Sequence, residues 1–292
     1  MSAKSHASCH GCGLCMLACP VWRQTRDVRL TPHGRAKALQ NGATPGELRA
    51  SIASCTLCGA CEPVCPERIP LVDMILELRR AQPLEGETPL APATATADAP
   101  SGTVFLPGAP LRRDPERVRR IAGLLDATIA EDDGADVAYS LEAGIALQPE
   151  RLRSFLESLD RAESLVVAEG LLLRKLREWL PGRRMLSLGE ALSAHEAVRA
   201  KLRASDLYVI EPRAFHADHA RLVGHYDSLA KARGISTNLD LQRLAVPVGA
   251  SADQARWVLE GRKFERVVVE DAGDFAAFAS ATDRPVVHIG DL

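Results

Sequence analysis

Two short stretches dominate what this chain can fold into: "CHGCGLCMLACP" at residues 9–20 and "CTLCGACEPVCP" at residues 55–66. Each spaces its cysteines C-x2-C-x2-C-x3-C-P, and together they hold all eight cysteines of the 292-residue chain: Cys9, Cys12, Cys15, Cys19, Cys55, Cys58, Cys61 and Cys65. A disulfide framework suits a short secreted chain, whereas two dense cysteine runs in a long chain fit cofactor ligation. In a C-x2-C-x2-C run the backbone curls so that three thiolates converge on one cube, while the fourth cysteine, followed by proline, ligates the other one. The spacing therefore predicts two [4Fe-4S] clusters with crossed ligation. Cys9, Cys12, Cys15 and Cys65 hold the first; Cys55, Cys58, Cys61 and Cys19 hold the second. Gly11, Gly13 and Gly59 are expected where the backbone turns tightly and aims its N–H groups at the sulfurs. Structural zinc also uses C-x2-C pairs, but paired knuckles leave the close third and fourth cysteines and the proline without a reason.

The 35 residues between Cys19 and Cys55 carry helix signals. "RAKAL" from Arg35 predicts a short helix, and "TPGELRASI" from Thr44 opens with a threonine cap, a proline at the first helical position and Glu47 three residues on. After Pro70, "LVDMILELRR" combines good helix formers with an apolar stripe and predicts a closing helix. A helical rather than a compact hairpin ferredoxin is expected over residues 1–82. Residues 83–102, rich in proline, alanine and threonine, read as a flexible linker.

From Thr103 the pattern changes. "TVFLP", "DVAYSL", "SLVVAE", "RMLSL", "DLYVIEP", "RVVVED" and "PVVHIG" are strand candidates alternating with amphipathic helices, the signature of a parallel α/β sheet. A weak duplication is visible: "VFLPGAPLRRDPERVRRIAGLL" aligns without gaps with "YVIEPRAFHADHARLVGHYDSL" at an offset of 104, and "VVAEG" resembles "VVVED" further on. Two related lobes are expected, 103–204 and 205–292. The fold class is α+β overall, a helical dicluster domain followed by a duplicated α/β module.

With a net charge of −2 and no basic tract interleaved with aromatics, nucleic acid is not an expected partner. The N-terminus lacks the apolar stretch of a secretory signal, so a cytoplasmic protein is expected, and no apolar run suggests direct membrane insertion. His216, His219 and nearby His225 could bind a metal by spacing, but with no identifiable partner shell they read as capping or solvated residues. His10 reads as an exposed loop residue. Arg112, Arg113, Arg117, Arg119 and Arg120 read as the solvated face of one helix that could dock an acidic partner. "LPGA" and "EAGIAL" are glycine loops expected after strands, without a nucleotide fingerprint. No catalytic constellation can be named.

"CHGCGLCMLACPVW", "LTPHGRAKAL" and "CTLCGACEPVCPERIPLVDMILELR" together resemble the iron–sulfur subunits of glycolate oxidase, anaerobic glycerol-3-phosphate dehydrogenase and lactate-utilisation complexes, and related heterodisulfide-reductase-like proteins. The resemblance implies an electron-transfer subunit, itself non-catalytic. It would relay electrons from a flavin-dependent dehydrogenase, of 2-hydroxy-acid type, to a quinone-reducing or other acceptor partner, one that could be membrane-associated at the inner face of the membrane. In that family each α/β lobe carries a cysteine-rich CCG motif. Here the lobes are CCG-like in framework only: Ala109, "YSLEAG" and "VVVEDAGDF" stand where the cysteines would be, so no further cluster is expected. The alternatives are a redox-sensitive assembly or regulatory scaffold, or a member of a heterodisulfide-reductase-like complex.

Overall fold

The computed structural model describes residues 4–92, 99–240, 243–246 and 251–292; residues 93–98 of the expected linker lie outside them. Two compact units are present. The first comprises residues 1–90 together with 139–147, and the second residues 91–138 and 148–292.

The first unit contains short helices: α1 (Leu14–Ala18), α2 (Pro20–Thr25), α3 (Pro32–Gln40), α4 (Arg49–Ala53) and α5 (Leu71–Ala81). Their brevity follows from the sequence, which interrupts most of them with glycine, proline or a cysteine loop, while α2 ends on a left-handed Arg26 (φ +54°). α3 starts where Thr31 Oγ1 accepts a hydrogen bond from Gly34 N (3.0 Å) and Pro32 fills the first helical position. α5 buries Leu71, Val72, Met74, Ile75, Leu76 and Leu78, the stripe expected of its pattern. The expected helix at "TPGELRASI" is shorter than its signals suggest. Thr44 and Glu47 make the capping contacts, with Glu47 Oε2 accepting from Thr44 N at 2.8 Å, yet residues 45–48 form turns and α4 begins only at Arg49.

The second unit holds two four-stranded parallel sheets. β1 (Gly102–Leu106), β2 (Thr128–Ile129), β3 (Ala162–Val167) and β4 (Arg184–Ser187) lie in the order β2-β1-β3-β4. The second lobe contains β5 (Asp206–Val209), β6 (Ser236–Thr237), an antiparallel pair β7 (Leu239–Asp240) and β8 (Leu244–Ala245), then β9 (Arg266–Val269) and β10 (Val286–His288). Its sheet runs β10-β9-β5-β6, the same order of first, second, third and fourth strands as in the first lobe. The duplicated α/β module is thus present as two copies of one topology. Register refines the alignment. Phe105 faces Val166 and Val209 faces Val269, so the first strands are offset by 209 − 105 = 104 and the third strands by 269 − 166 = 103. Matching "VVAEG" to "VVVED" equates Glu169 with Glu270, an offset of 270 − 169 = 101, and slips by two residues.

Alternation along the strands builds two cores. Tyr208, Ile210 and Val268 join Phe105 and Val166 of the other sheet in one core. Leu207, Val209, Val267 and Val269 face the opposite way, onto Ala255, Val258 and Phe278. Burial on both faces explains why these strands read as continuous apolar runs. Arg117 closes the lobes at one edge, donating to Asp291 from Nε (2.9 Å) and Nη2 (3.0 Å).

Three expectations from the sequence are corrected. "DVAYSL" is not a strand but part of the helix Ala135–Ala143. Acidic Asp132 and Asp133 accept from the N–H groups of Gly134 (3.1 Å) and Ala135 (3.2 Å) at its start, and Gly144 takes φ +80° after its end. These start and stop signals outweigh the β-propensity of Val137 and Tyr139. "EAGIAL" accordingly follows a helix, and a Cβ on Gly144 would overlap the Arg79 carbonyl oxygen. The arginine run spans two helices, Gly108–Arg112 and Pro115–Leu124, rather than one. Arg112 pairs with Asp133 (2.5 Å), Arg117 with Asp291, and Arg120 with Asp291 (3.4 Å), so much of that charge is internally compensated.

Candidate iron–sulfur centre

The eight cysteines are free thiols that fall into two groups around two cavities. Cys9, Cys12, Cys15 and Cys65 line one cavity, with His10, Gly11, Gly13, His33, Glu67 and Ile69 among the other walls. Cys19, Cys55, Cys58 and Cys61 line a second, with Pro20, Val21, Arg35, Val72 and Ile75. Each run therefore sends its fourth cysteine to the other run's cavity. Pro32 and Leu71 line both cavities.

The loops that present the sulfurs share one backbone form. Gly11 (φ +93°) and Gly13 (φ +76°) in the first run correspond by position to Leu57 (φ +56°) and Gly59 (φ +76°) in the second. A left-handed leucine is strained by about 1 kcal/mol; it persists because its side chain is buried, at 2% exposure. The first run is more open. Cys12 is exposed, as are Leu14 and Leu17 on α1, and the carbonyl of Cys9 is held from α3 by Lys37 Nζ (3.0 Å) and Gln40 Nε2 (2.8 Å). His10 is indeed exposed, with its ring 3.3 Å from Glu67.

The second cavity has one cation on its wall, Arg35, and a second, Arg79, bonded to the backbone of Cys55. Arg35 is 1% exposed and Arg79 2%. Arg79 Nη2 donates to the Cys55 carbonyl (2.5 Å) and its Nη1 to that of Glu142 (2.5 Å), fastening α5 to the second run and to the 139–147 segment. Burial pushes the Cys58 thiol up to about 12 and Cys61 well above its ordinary value, the neighbouring cysteines adding to both. Cys19 is also raised by burial, against the lowering effect of the Trp22 N–H aimed at its sulfur. In the first cavity burial, then Cys9, Cys65 and Cys12, push Cys15 up to about 12. Four mutually repelling sulfurs in a buried shell favour thiolate only when a cation sits among them. The donor set, all sulfur and disposed around a cavity, fits a [4Fe-4S] cube.

In the lobes, Glu211 and Glu270 are buried where β5 and β9 end. Glu270 Oε1 accepts from Tyr208 OH and Tyr226 OH, each at 2.7 Å, and Oε2 from Glu211 N (2.8 Å). Burial raises Glu270 to about 7, and burial with nearby Asp271 raises Glu211 to about 8. The two histidines of "HADH" and the nearby His225 are engaged in hydrogen bonds. His216 Nε2 accepts from Ala245 N (3.1 Å), His219 lies 3.2 Å from the Arg243 carbonyl, and His225 lies 2.8 Å from Ser193 Oγ. No group of three or more His, Cys, Asp or Glu side chains among the described residues could hold a single metal ion.

Sequence reasoning did not anticipate Arg35, Arg79, His33 or Leu57. The helix carrying Arg35 and His33 was legible, but which cavity each residue of one turn faces depends on packing. Leu57 could have been found by superposing the two runs on Gly11.

Comparison with known proteins points to the same region of the chain. The family model described as a 4Fe-4S dicluster domain matches residues 5–69. A component of the ferredoxin/F420H2-dependent CoB-CoM heterodisulfide reductase of Methanosarcina acetivorans is 37% identical over 84 residues, 27% of this chain and 47% of that protein. Lactate utilization protein B of Macrococcus caseolyticus is 38% identical over 82 residues, 26% of this chain and 17% of that one. The electron transport protein YkgF of Escherichia coli, itself uncharacterized, is 34% identical over 94 residues, 27% and 18% respectively. The chain thus spans less than half the length of these relatives, and the likeness lies in the cysteine region. No solved structure matches the chain significantly. The N-terminal region carries an iron–sulfur domain similar to those of oxidoreductase subunits, as the motifs led us to expect.

Proposed function

We propose that the chain is a two-cluster electron-transfer subunit, with Cys9, Cys12, Cys15 and Cys65 holding one [4Fe-4S] cluster and Cys55, Cys58, Cys61 and Cys19 the other. The observation that carries this reading is the pair of four-cysteine cavities whose linings share Pro32 and Leu71. When bound, the clusters supply one-electron redox steps. The chain's own residues set where those steps occur: the thiolates hold the iron, the N–H groups directed at Cys19 and Cys58 stabilise charge on sulfur, and the buried walls exclude water.

The donor in this reading is a flavin-dependent dehydrogenase of 2-hydroxy-acid type, and the acceptor a quinone-reducing or other partner; the name of the lactate utilization relative supports the first. The similarity to a heterodisulfide reductase component favours, as a second reading, a place in a complex of that kind. In either, the dicluster domain of residues 1–82 is the wire and the lobes 103–204 and 205–292 a docking scaffold, without the sulfur ligands for a further cluster. No helix among the described residues is long and apolar enough to cross a membrane. In this reading the protein is cytoplasmic and any membrane contact runs through a partner.

Anaerobic purification with iron and sulfide analysis, followed by EPR during a potential titration, tests the proposal. About eight irons and two interacting, reversibly titrating signals are expected. Zinc in place of iron, or clusters that cannot be reduced reversibly, would sink it.

A further inference from the structure

Arg35 is the most deeply buried arginine of the first unit, 1% exposed, and it lines the second cysteine cavity. Every partner it has is neutral. Its Nε donates to Ser51 O (3.0 Å) and Ser51 Oγ (2.9 Å), and its Nη2 to Leu30 O (2.8 Å), Ser51 O (2.6 Å) and Ser54 Oγ (3.3 Å). Among the described residues no carboxylate pairs with it, and its Nη1 makes no hydrogen bond to the protein.

A guanidinium cannot shed its charge at any pH the protein meets, so a buried one requires an anion nearby. The other groups on the same cavity wall that can carry negative charge are the sulfurs of Cys19, Cys55, Cys58 and Cys61. The first cavity differs: its walls include no arginine or lysine and do include a carboxylate, Glu67, and the nearest ammonium groups are turned to other partners, Lys37 to the Cys9 carbonyl and Lys4 to Glu67. Helix α3 creates this asymmetry, placing His33 and Ala36 on the first cavity and Arg35 on the second.

We infer that Arg35 is the internal counter-cation of the cluster held by Cys19, Cys55, Cys58 and Cys61, holding its reduction potential up against the burial that would depress it. The inference rests on the two-cluster reading above. Four thiolates on a doubly positive core sum to a charge of −2, which becomes −3 when one electron is added. A fixed positive charge at the cavity wall favours the more negative, reduced form, while loss of solvent disfavours it. Because Arg35 donates to neutral acceptors, no carboxylate among the described residues offsets its charge at the site.

The test compares wild type with Arg35→Gln, Arg35→Lys and Ser54→Asp by iron and sulfide content and EPR-monitored potential titration, the second cluster being identified as the signal lost in Cys58→Ser. Arg35→Gln should retain its iron and lower the second cluster's reduction equilibrium by about tenfold or more, which is 59 mV or more for a one-electron couple. The first cluster should move less, and Arg35→Lys should recover most of the shift. Ser54→Asp leaves the arginine and its contacts to Ser51 and Leu30 in place but sets a carboxylate beside Nη2; it should lower the same potential, and it decides the matter if Arg35→Gln loses iron. Unmoved potentials in iron-replete Arg35→Gln or Ser54→Asp, or an Arg35→Lys shift as large as that of Arg35→Gln, would overturn the role as counter-cation and leave Arg35 a strut between α3 and α4. A wild-type protein without iron would overturn the two-cluster reading as well, and so is distinguishable.

Discussion

Replacing Cys65 by serine separates crossed from straight ligation. Cys65 belongs by sequence to the second run but lies in the cavity of the first, with Cys9, Cys12 and Cys15. A bridge from Cys15 to Cys65 closes a loop of 65 − 15 + 1 = 51 residues, and one from Cys19 to Cys55 closes 55 − 19 + 1 = 37. Treated as covalent cross-links, each constrains the unfolded chain by about 4 kcal/mol. Removing Cys65 should therefore take about four of about eight irons and lower the stability of the iron-loaded protein by a few kcal/mol, of which the opened loop is the larger share. Cys19→Ser should take the other four. The assay is iron and sulfide content with EPR of the reduced protein, followed by denaturant unfolding under argon. The signal lost in Cys65→Ser should be that lost in Cys12→Ser, and the signal lost in Cys19→Ser that lost in Cys58→Ser. If Cys65→Ser instead removed the signal missing in Cys58→Ser, each run would hold its own cluster, and the pairing argued from the cavities would be wrong.

Other outcomes follow from the geometry. At Leu57, φ +56° favours glycine, so Leu57→Gly should be more stable than Leu57→Ala by about 1 kcal/mol in chemical denaturation, the reverse of the usual order; both lose the packing of the buried leucine. Gly144→Ala meets the Arg79 carbonyl oxygen and a left-handed backbone; it should destabilise the first unit by about 2 kcal/mol or more, seen as a lower unfolding midpoint. The lobes should lose stability with rising pH. Glu270 at about 7 and Glu211 at about 8 bind protons more tightly folded than unfolded, so their contribution is fully present below the ordinary glutamate range and fades as pH climbs through these values. Unfolding midpoints from pH 5 to 9 should fall by the equivalent of a few kcal/mol, with Glu270→Gln flattening the lower part of the slope; a rise across that range would contradict the burial argument.

How much could be read from the chain alone differs by scale. That the cysteines gather around two cavities was legible because steps of three residues within each run bring neighbouring sulfurs to one side of a tight loop. The parallel strands were legible because apolar runs such as "DLYVI" and "RVVV" are buried on both faces. "DVAYSL" misled because a β-branched and an aromatic residue alternate with small ones, while the Asp-Asp-Gly start and the Gly144 stop carry the opposite message. β2 and β6 were passed over, since two residues leave almost no periodicity. The recruitment of residues 139–147 by the first unit depends on Arg79 reaching the Glu142 carbonyl and on Leu84 N donating to Ala143 O at 3.0 Å, contacts across sequence that no local pattern encodes.

Pro32 and Leu71, which line both cysteine cavities, are buried and carry neither a titratable group nor a hydroxyl. A charge passing between the sites by way of them meets no side-chain dipole to turn and no proton to drag along. Traffic between the sites would then be governed by separation and driving force alone, and its rate should hold constant over a pH range in which the lobes lose stability.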